Sequence, residues 1–332
     1  MKGGVTVKKY MIHALACSCL LIIAYSAVHN PFSLNYLHSM KEDVMLAMAE
    51  QDPLKEEIIA NANQYKSGPI DARIDRVWKA VPGYNGVEVD VLASYDKMKK
   101  LGQFDEKRLV LKEVSPDIHL DDLPPSPIYK GNENKEMVSF LINVAWGNEY
   151  IPEILKILNQ YSVKATFFLD GSWVKNNPQI ALMIKEEGHE IGSHAYSHPD
   201  MNTLTRERMD EELQKTNDVI EATLNVTPRW FAPPSGSFNQ NVVDRAASFK
   251  MNTILWSVDT VDWKKPNPDE MSERVISKVH NGAMILMHPT EATSKGLERI
   301  ILGILDKELK ISTVTDLLAE DRAHLGVTLK QE

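Results

Sequence analysis

Residues 164–198 read KATFFLDGSWVKNNPQIALMIKEEGHEIGSHAYSH, and this stretch decides the fold. Ala165 to Leu169 is a short apolar run suited to a strand buried on both faces. Trp173 to Glu187 has the spacing of a helix, and Glu190 to Ser193 returns to a strand. The alternation extends outward in both directions. Before it come a strand at Ser139 to Val144 and a helix at Pro152 to Tyr161; after it come the long helix Arg206 to Leu224, then Trp230 to Ala232, Val242 to Phe249, Thr253 to Val258 and Ala283 to Met287. Strands alternating with helices imply a mostly parallel sheet, and over roughly 190 residues a barrel is favoured over an open sheet. In barrels the chemistry gathers where strands end and loops begin.

At one such end stands Ser193-His194-Ala195-Tyr196-Ser197-His198. Two imidazoles four residues apart can converge on one divalent cation. The same spacing is also common among ordinary polar loop residues, so the pair gains meaning only from its companions. Those are Lys164-Ala165-Thr166-Phe167-Phe168, Gly188 to His194, Phe231-Ala232-Pro233-Pro234-Ser235-Gly236-Ser237, Trp256-Ser257-Val258-Asp259-Thr260-Val261-Asp262-Trp263 and Gly282 to His288. In this order they resemble the polysaccharide deacetylases of the NodB type, carbohydrate esterase family 4, over about residues 137–319.

The resemblance implies a deformed (β/α) barrel, the NodB homology domain, preceded here by a small α/β module. It implies removal of acetyl groups from N-acetylated sugars of chitin, peptidoglycan or related polymers with a divalent metal, usually zinc. By the same resemblance His194 and His198 are metal ligands, and His288, held by Asp262, protonates the leaving amine. Trp263, Pro233, Pro234 and Ser235 line the substrate cleft, with the Ser235 backbone N–H facing the reaction oxyanion.

The first strand departs from the family pattern. Setting Ser139 to Gly147 against it puts Asn143 where the general base stands and Val144 where the metal-binding aspartate stands, and no acid occurs between Ser139 and Asn148. Ala232 replaces an arginine that orients the base. A primary amide accepts no proton from water near neutral pH, and valine gives a metal nothing, so metal binding is expected to be weak. Glu149 and Asp170, each near a strand end, are the candidates to supply a carboxylate instead, though each is most simply a solvated loop charge. The first strand's Asn143-Val144-Ala145-Trp146-Gly147 is similar to that of a sporulation-associated branch of the family. Two readings follow: a metal-dependent deacetylase of cell-envelope glycan with impaired activity, or an inactive protein that binds such glycan or scaffolds a partner.

Of the other aromatic residues, Trp146, Trp173, Trp230 and Trp256 are candidate sugar platforms, with core or rim packing expected for at least three of them, and the Glu- and Lys-rich helix Arg206 to Leu224 is expected as a solvated outer face. His13, His29, His38, His119, His189, His280 and His324 receive no role.

N-terminal to the barrel, Pro53 to Tyr65 reads as an amphipathic helix and Ile70 to Lys79 as a second. Gly86 to Ser94 reads as a strand, with Val87, Val89 and Val91 alternating against Glu88 and Asp90. A helix is expected to begin near Tyr95, and Arg108 to Val114 is the strand's expected partner. Pro116, Pro124, Pro125, Pro127 and Gly131 mark a linker. The expected layout is 1–30 targeting segment, 31–114 module, 115–136 linker, 137–319 deacetylase domain and 320–332 tail.

The chain has 332 residues and a net charge of -9, which argues against a nucleic-acid partner and leaves the charge of the cleft itself open. Both cysteines, Cys17 and Cys19, lie in the apolar run Tyr10 to Val28, behind Lys2, Lys8 and Lys9. A basic start before an apolar run implies export. Ala24-Tyr25-Ser26 offers a cleavage site, and the run is also long enough to remain as a membrane anchor. A lipoprotein reading is disfavoured because Ala14-Leu15-Ala16-Cys17 lacks a large aliphatic first residue.

Overall fold

The computed structural model describes residues 52–323; the segment expected for targeting, the tail beyond Ala323 and His324 lie outside the described residues. Within them the chain forms two compact units, one of residues 52–66 with 88–112 and one of 67–87 with 113–323.

Helix α1 (Pro53–Ala62) begins as expected, with the Asp52 side chain accepting the Leu54 N–H. The second expected helix does not form. Asp75 accepts the Val77 and Trp78 N–H groups at 2.7 and 2.8 Å, a local turn that competes with helix. Around it β1 (Arg73–Asp75) folds back antiparallel on β2 (Lys79–Val81). Strand β3 (Gly86–Val89) pairs with β4 (Leu111–Val114), as expected. Between them α2 (Val91–Met98) starts earlier than expected, because Asp90 caps it by accepting the Ala93 N–H. Leu54, Ile58, Val89, Met98 and Leu109 form the core of the smaller unit.

The larger unit continues as β5 (Met137–Val144), α3 (Ile151–Gln160), β6 (Thr166–Leu169), α4 (Gly171–Asn176), α5 (Pro178–Glu186) and β7 (Glu190–Ser193). Then come α6 (Arg206–Leu224), β8 (Trp230–Phe231), α7 (Gln240–Ser248), β9 (Asn252–Thr253), β10 (Val258–Asp259) and α8 (Pro268–Lys278). It closes with β11 (Met284–Met287), α9 (Glu291–Leu305), β12 (Lys310–Ser312) and α10 (Val314–Leu318). The expected helix Trp173 to Glu187 is two helices, because Pro178 has no N–H to continue the first and starts the second instead.

Eight strands form one parallel sheet in the order β10-β11-β5-β6-β7-β8-β9, with β12 also paired to β5, curled as the expected deformed (β/α) barrel. Side chains alternate across it. Phe140, Ile142, Val144, Phe167, Leu169, Ile285 and Met287 pack outward into the main core cluster. Met137, Leu141, Phe168, Trp230, Ala232, Ile254 and Met284 pack in a second cluster inside the curl. Burying these side chains is the main stabilising term, at about 1.5–3 kcal/mol for each large one.

The segment expected as a linker belongs to the larger unit. The Ile128 N–H donates to Thr253 O and that of Gly131 to Gly282 O, and the Ile128 side chain is buried in the inner cluster. Proline-rich backbone is extended, and extended backbone can lie along a barrel as well as span a gap. Lys135, fully buried, donates to the carbonyl oxygens of Asp316 and Ala319 at 2.6 and 2.7 Å, fixing α10 against the base of β5.

Candidate functional site

Ladder register decides which side chains meet. Met287 of β11 pairs with Ile142 of β5, so His288 and Asn143 begin the next layer side by side. Asn143 pairs with Phe168, and Phe168 with Gly192. Beyond the strand ends the ladder continues through Asp170 N–H to Val144 O, His194 N–H to Leu169 O and Ala232 N–H to Ser193 O. Asn143, His194, Ala232 and His288 share the inward phase of their strands. They converge at the C-terminal mouth of the curl.

His194 is buried, and its Nδ1–H donates to the Ala232 carbonyl at 2.7 Å, which leaves Nε2 as the lone-pair nitrogen. Burial, with His198 and His288 as neighbouring imidazoles, pushes its pKa down to about 3, so the ring is neutral. The ring centroids of His194 and His198 lie 5.1 Å apart. The loop between them is strained, with positive φ at Ala195 (60°) and His198 (53°). Its restraint comes from α6: the buried Glu212 carboxylate accepts the Tyr196 and Ser197 N–H groups at 2.9 and 2.8 Å and the Ser197 hydroxyl at 2.8 Å. The helix expected only as a solvated face thus supports the histidine loop from its buried side.

Across the mouth, fully buried Asp262 accepts the His288 Nδ1–H at 2.8 Å, the His288 backbone N–H at 2.6 Å and the Thr293 hydroxyl at 2.6 Å. Three donors fix the carboxylate, which in turn fixes the imidazole tautomer and orientation. Trp146 stacks on that imidazole, with centroids 5.9 Å apart and planes 9° apart. This contact was not legible in the sequence, because nothing local links the β5 tip to the loop after β11. Gly147 permits it: a Cβ there would lie 2.0 Å from the Pro289 carbonyl oxygen.

Asn143 is buried, and its Oδ1 accepts no hydrogen bond from any described residue. Such an atom usually marks a place where a partner belongs. Val144 lies in the outer core cluster and is fully buried, so its side chain takes no part in the mouth. Asp170 caps α4, accepting the Trp173 N–H at 2.8 Å and the Ser172 hydroxyl at 2.6 Å. Burial raises its carboxyl above the ordinary range, while these donors and nearby His198 pull the other way. Glu149 is exposed. Pro233 and Pro234 are buried, and Ser235 is exposed with left-handed backbone (φ 55°). Trp173 and Trp230 are core residues and Trp256 is half-buried, whereas Trp146 and Trp263 are 46% and 54% exposed.

A catalytic zinc ion takes three protein ligands and a water. The mouth offers the His194 and His198 imidazoles, with His288 held across it by Asp262, and among the described residues no three His, Cys, Asp or Glu side chains are grouped to hold a metal. The donor set falls short of a catalytic zinc centre. A histidine pair whose buried member His194 is neutral, an aspartate-braced histidine and an amide remain, arranged to orient a polar ligand.

A parallel barrel whose mouth carries these groups defines a carbohydrate deacetylase scaffold, and the comparisons agree. The family profile described as polysaccharide deacetylase matches residues 130–254. The uncharacterized protein YlxY of Bacillus subtilis is 53% identical over 91% of this chain and 95% of its own. A peptidoglycan-N-acetylglucosamine deacetylase of Bacillus cereus is 31% identical over 56% of this chain and 70% of its own. The crystal structure of a CE4 family pseudoenzyme from Bacillus anthracis superposes with a TM-score of 0.76 at 54% identity, covering 82% of this chain and 97% of that one. A mutant of that protein, described as having restored enzymatic activity, gives a TM-score of 0.76 at 52% identity, over 81% and 99%. The chain belongs to the polysaccharide deacetylase family, carbohydrate esterase family 4.

Proposed function

We propose that this protein binds an N-acetylated cell-envelope glycan in the inherited cleft and is itself nearly silent as a deacetylase. The observation that carries the reading is Asn143: an amide with an unpartnered buried oxygen stands at the barrel mouth, where hydrolysis of an acetamide needs a proton acceptor. Two further facts support it. Val144 is turned into the apolar core, and the site's donors fall short of a catalytic zinc centre. The pseudoenzyme description of the Bacillus anthracis neighbour, and the restored activity of its mutant, are consistent with a scaffold that outlives its chemistry. We infer also that the chain is exported, as a cleaved or membrane-anchored protein, from the basic start and apolar run Tyr10 to Val28.

The test is acetate release from N-acetylglucosamine oligomers with excess zinc. The parent is expected at background. Asn143→Asp is expected to exceed it by about tenfold or more, since a positioned base contributes about 10²- to 10⁴-fold in a complete site and this one remains incomplete. A parent that already turns over at a rate the variant does not exceed overturns the reading. Binding of the same oligomers by the parent, weakened in Trp263→Ala, separates a glycan-binding protein from one that merely scaffolds a partner.

A further inference from the structure

Beside the Asp262–His288 pair lies a cavity of about 330 Å³ whose lining includes Trp146, Tyr150, Trp263, Lys265, Glu291 and Lys295. Its two exposed indoles give apolar faces of the kind that pack on sugar rings. Its rim is basic. Lys265 is exposed and held in a left-handed turn (φ 52°), its N–H donating to the Asp262 carbonyl oxygen at 2.9 Å. The exposed Lys295 ammonium lies 2.5 Å from Glu291. Lys264 adds a third ammonium 4.8 Å from the Trp263 ring centroid. Glu291 is the one carboxylate among the exposed groups of the rim, and Asp262 is buried and occupied by His288. With Lys264 beside the lining, three ammonium groups stand against Glu291 and the buried Asp262, on a chain with a net charge of -9.

We propose that this cavity is a subsite selective for an acid-bearing N-acetylated glycan. A sugar ring lies against Trp146 or Trp263, and a carboxylate or phosphate pairs with Lys265 and Lys295. The inference rests on the glycan-binding reading above and adds the charge of the ligand to it. A neutral oligomer gains only the aromatic faces. An acidic one also gains two lysines, whose attraction at an exposed rim is modest and screened by salt.

Calorimetric titration of the full chain with three probes tests it: a neutral N-acetylglucosamine oligomer, an oligomer of equal length alternating with N-acetylmuramic acid, and an N-acetylglucosamine phosphate polymer. At low salt at least one acidic probe is expected to bind about fivefold more tightly than the neutral one, a preference that shrinks as salt is added. Which acidic probe leads identifies the acid group. The double variant Lys265→Gln, Lys295→Gln is expected to lose the preference while keeping affinity for the neutral oligomer, and Glu291→Gln to strengthen acidic binding. All three positions are exposed, so these variants are expected to fold. Equal binding of all probes, or an unchanged preference in the double variant, overturns the subsite and leaves the glycan-binding reading standing. Binding of no probe overturns both.

Discussion

Asn143 and Val144 are neighbours in sequence that face opposite ways, and this determines what repair of each can achieve. Asn143 looks into the mouth, so an aspartate there replaces one polar group by another of the same shape. Val144 is buried in the outer cluster and pairs with Leu169 in the ladder. Val144→Asp is expected to lower stability by about 3 kcal/mol or more, measured by denaturant unfolding at neutral pH, because an unpaired carboxylate would replace an apolar side chain. An unchanged unfolding midpoint would show that the strand tip turns to present position 144 to the mouth. The residues identified by motif, Asn143, His194, His198, Asp262 and His288, do come together. Thr293, Glu212 and Trp146 were not legible as site residues, because each acts through a contact distant in sequence: Thr293 with Asp262, Glu212 with the loop of Tyr196 and Ser197, Trp146 with His288.

Among the elements, the βα alternation was readable because the central strands β5, β6 and β11 are largely apolar on both faces and the longer covering helices bury one side. The sequence misled where short polar side chains compete with the backbone. Asp75 turns Ile70 to Lys79 into a hairpin, and Asp90 starts α2 before the point where apolar periodicity begins. The strained histidine loop depends on α6 through one carboxylate. Glu212→Ala would strand the N–H groups of Tyr196 and Ser197, and is expected to cost about 2–4 kcal/mol in chemical denaturation. It should also open the loop to proteolysis before the barrel unfolds. Glu212→Gln, which keeps an acceptor, should lose less. Equal losses in the two variants would mean that charge, not the accepted hydrogen bonds, holds the loop.

For the molecule as a whole, acid should be the most revealing stress. Burial pushes His189 down to about 4, and its Nδ1 accepts the Ala165 N–H at 3.2 Å, an acceptor that protonation removes. His194 is pushed down further, to about 3. Since both folded values lie below the unfolded value near 6.5, the unfolded chain takes up protons first. The stability they contribute is complete above pH 6.5 and is lost as pH falls toward 4 and then 3, at up to about 1.4 kcal/mol per pH unit for each ring. Asp170, with its carboxyl raised, acts in the opposite sense. Melting temperature should therefore fall between pH 6.5 and 4. His189→Asn, whose amide oxygen can still accept the Ala165 N–H, should flatten that slope by about half. An identical slope in the variant would remove His189 from the account. At this scale the sequence showed the barrel but not the attachment of residues 115–136 to it, because prolines state that backbone is extended without stating what it lies against.

The burial of Asn143 in a strand also bears on how the protein ages. Asparagine can convert to aspartate unaided when the next residue's backbone nitrogen attacks the side-chain amide carbon, ammonia leaves, and water then opens the cyclic imide that forms. At position 143 that slow chemistry would install the missing acid without any mutation. The extended backbone of β5 holds the attacking nitrogen away from the amide, and the branched side chain of Val144 crowds the ring that would have to form. Stored protein should therefore stay as silent as fresh protein, and activity that emerges in an old sample would have a source other than this residue.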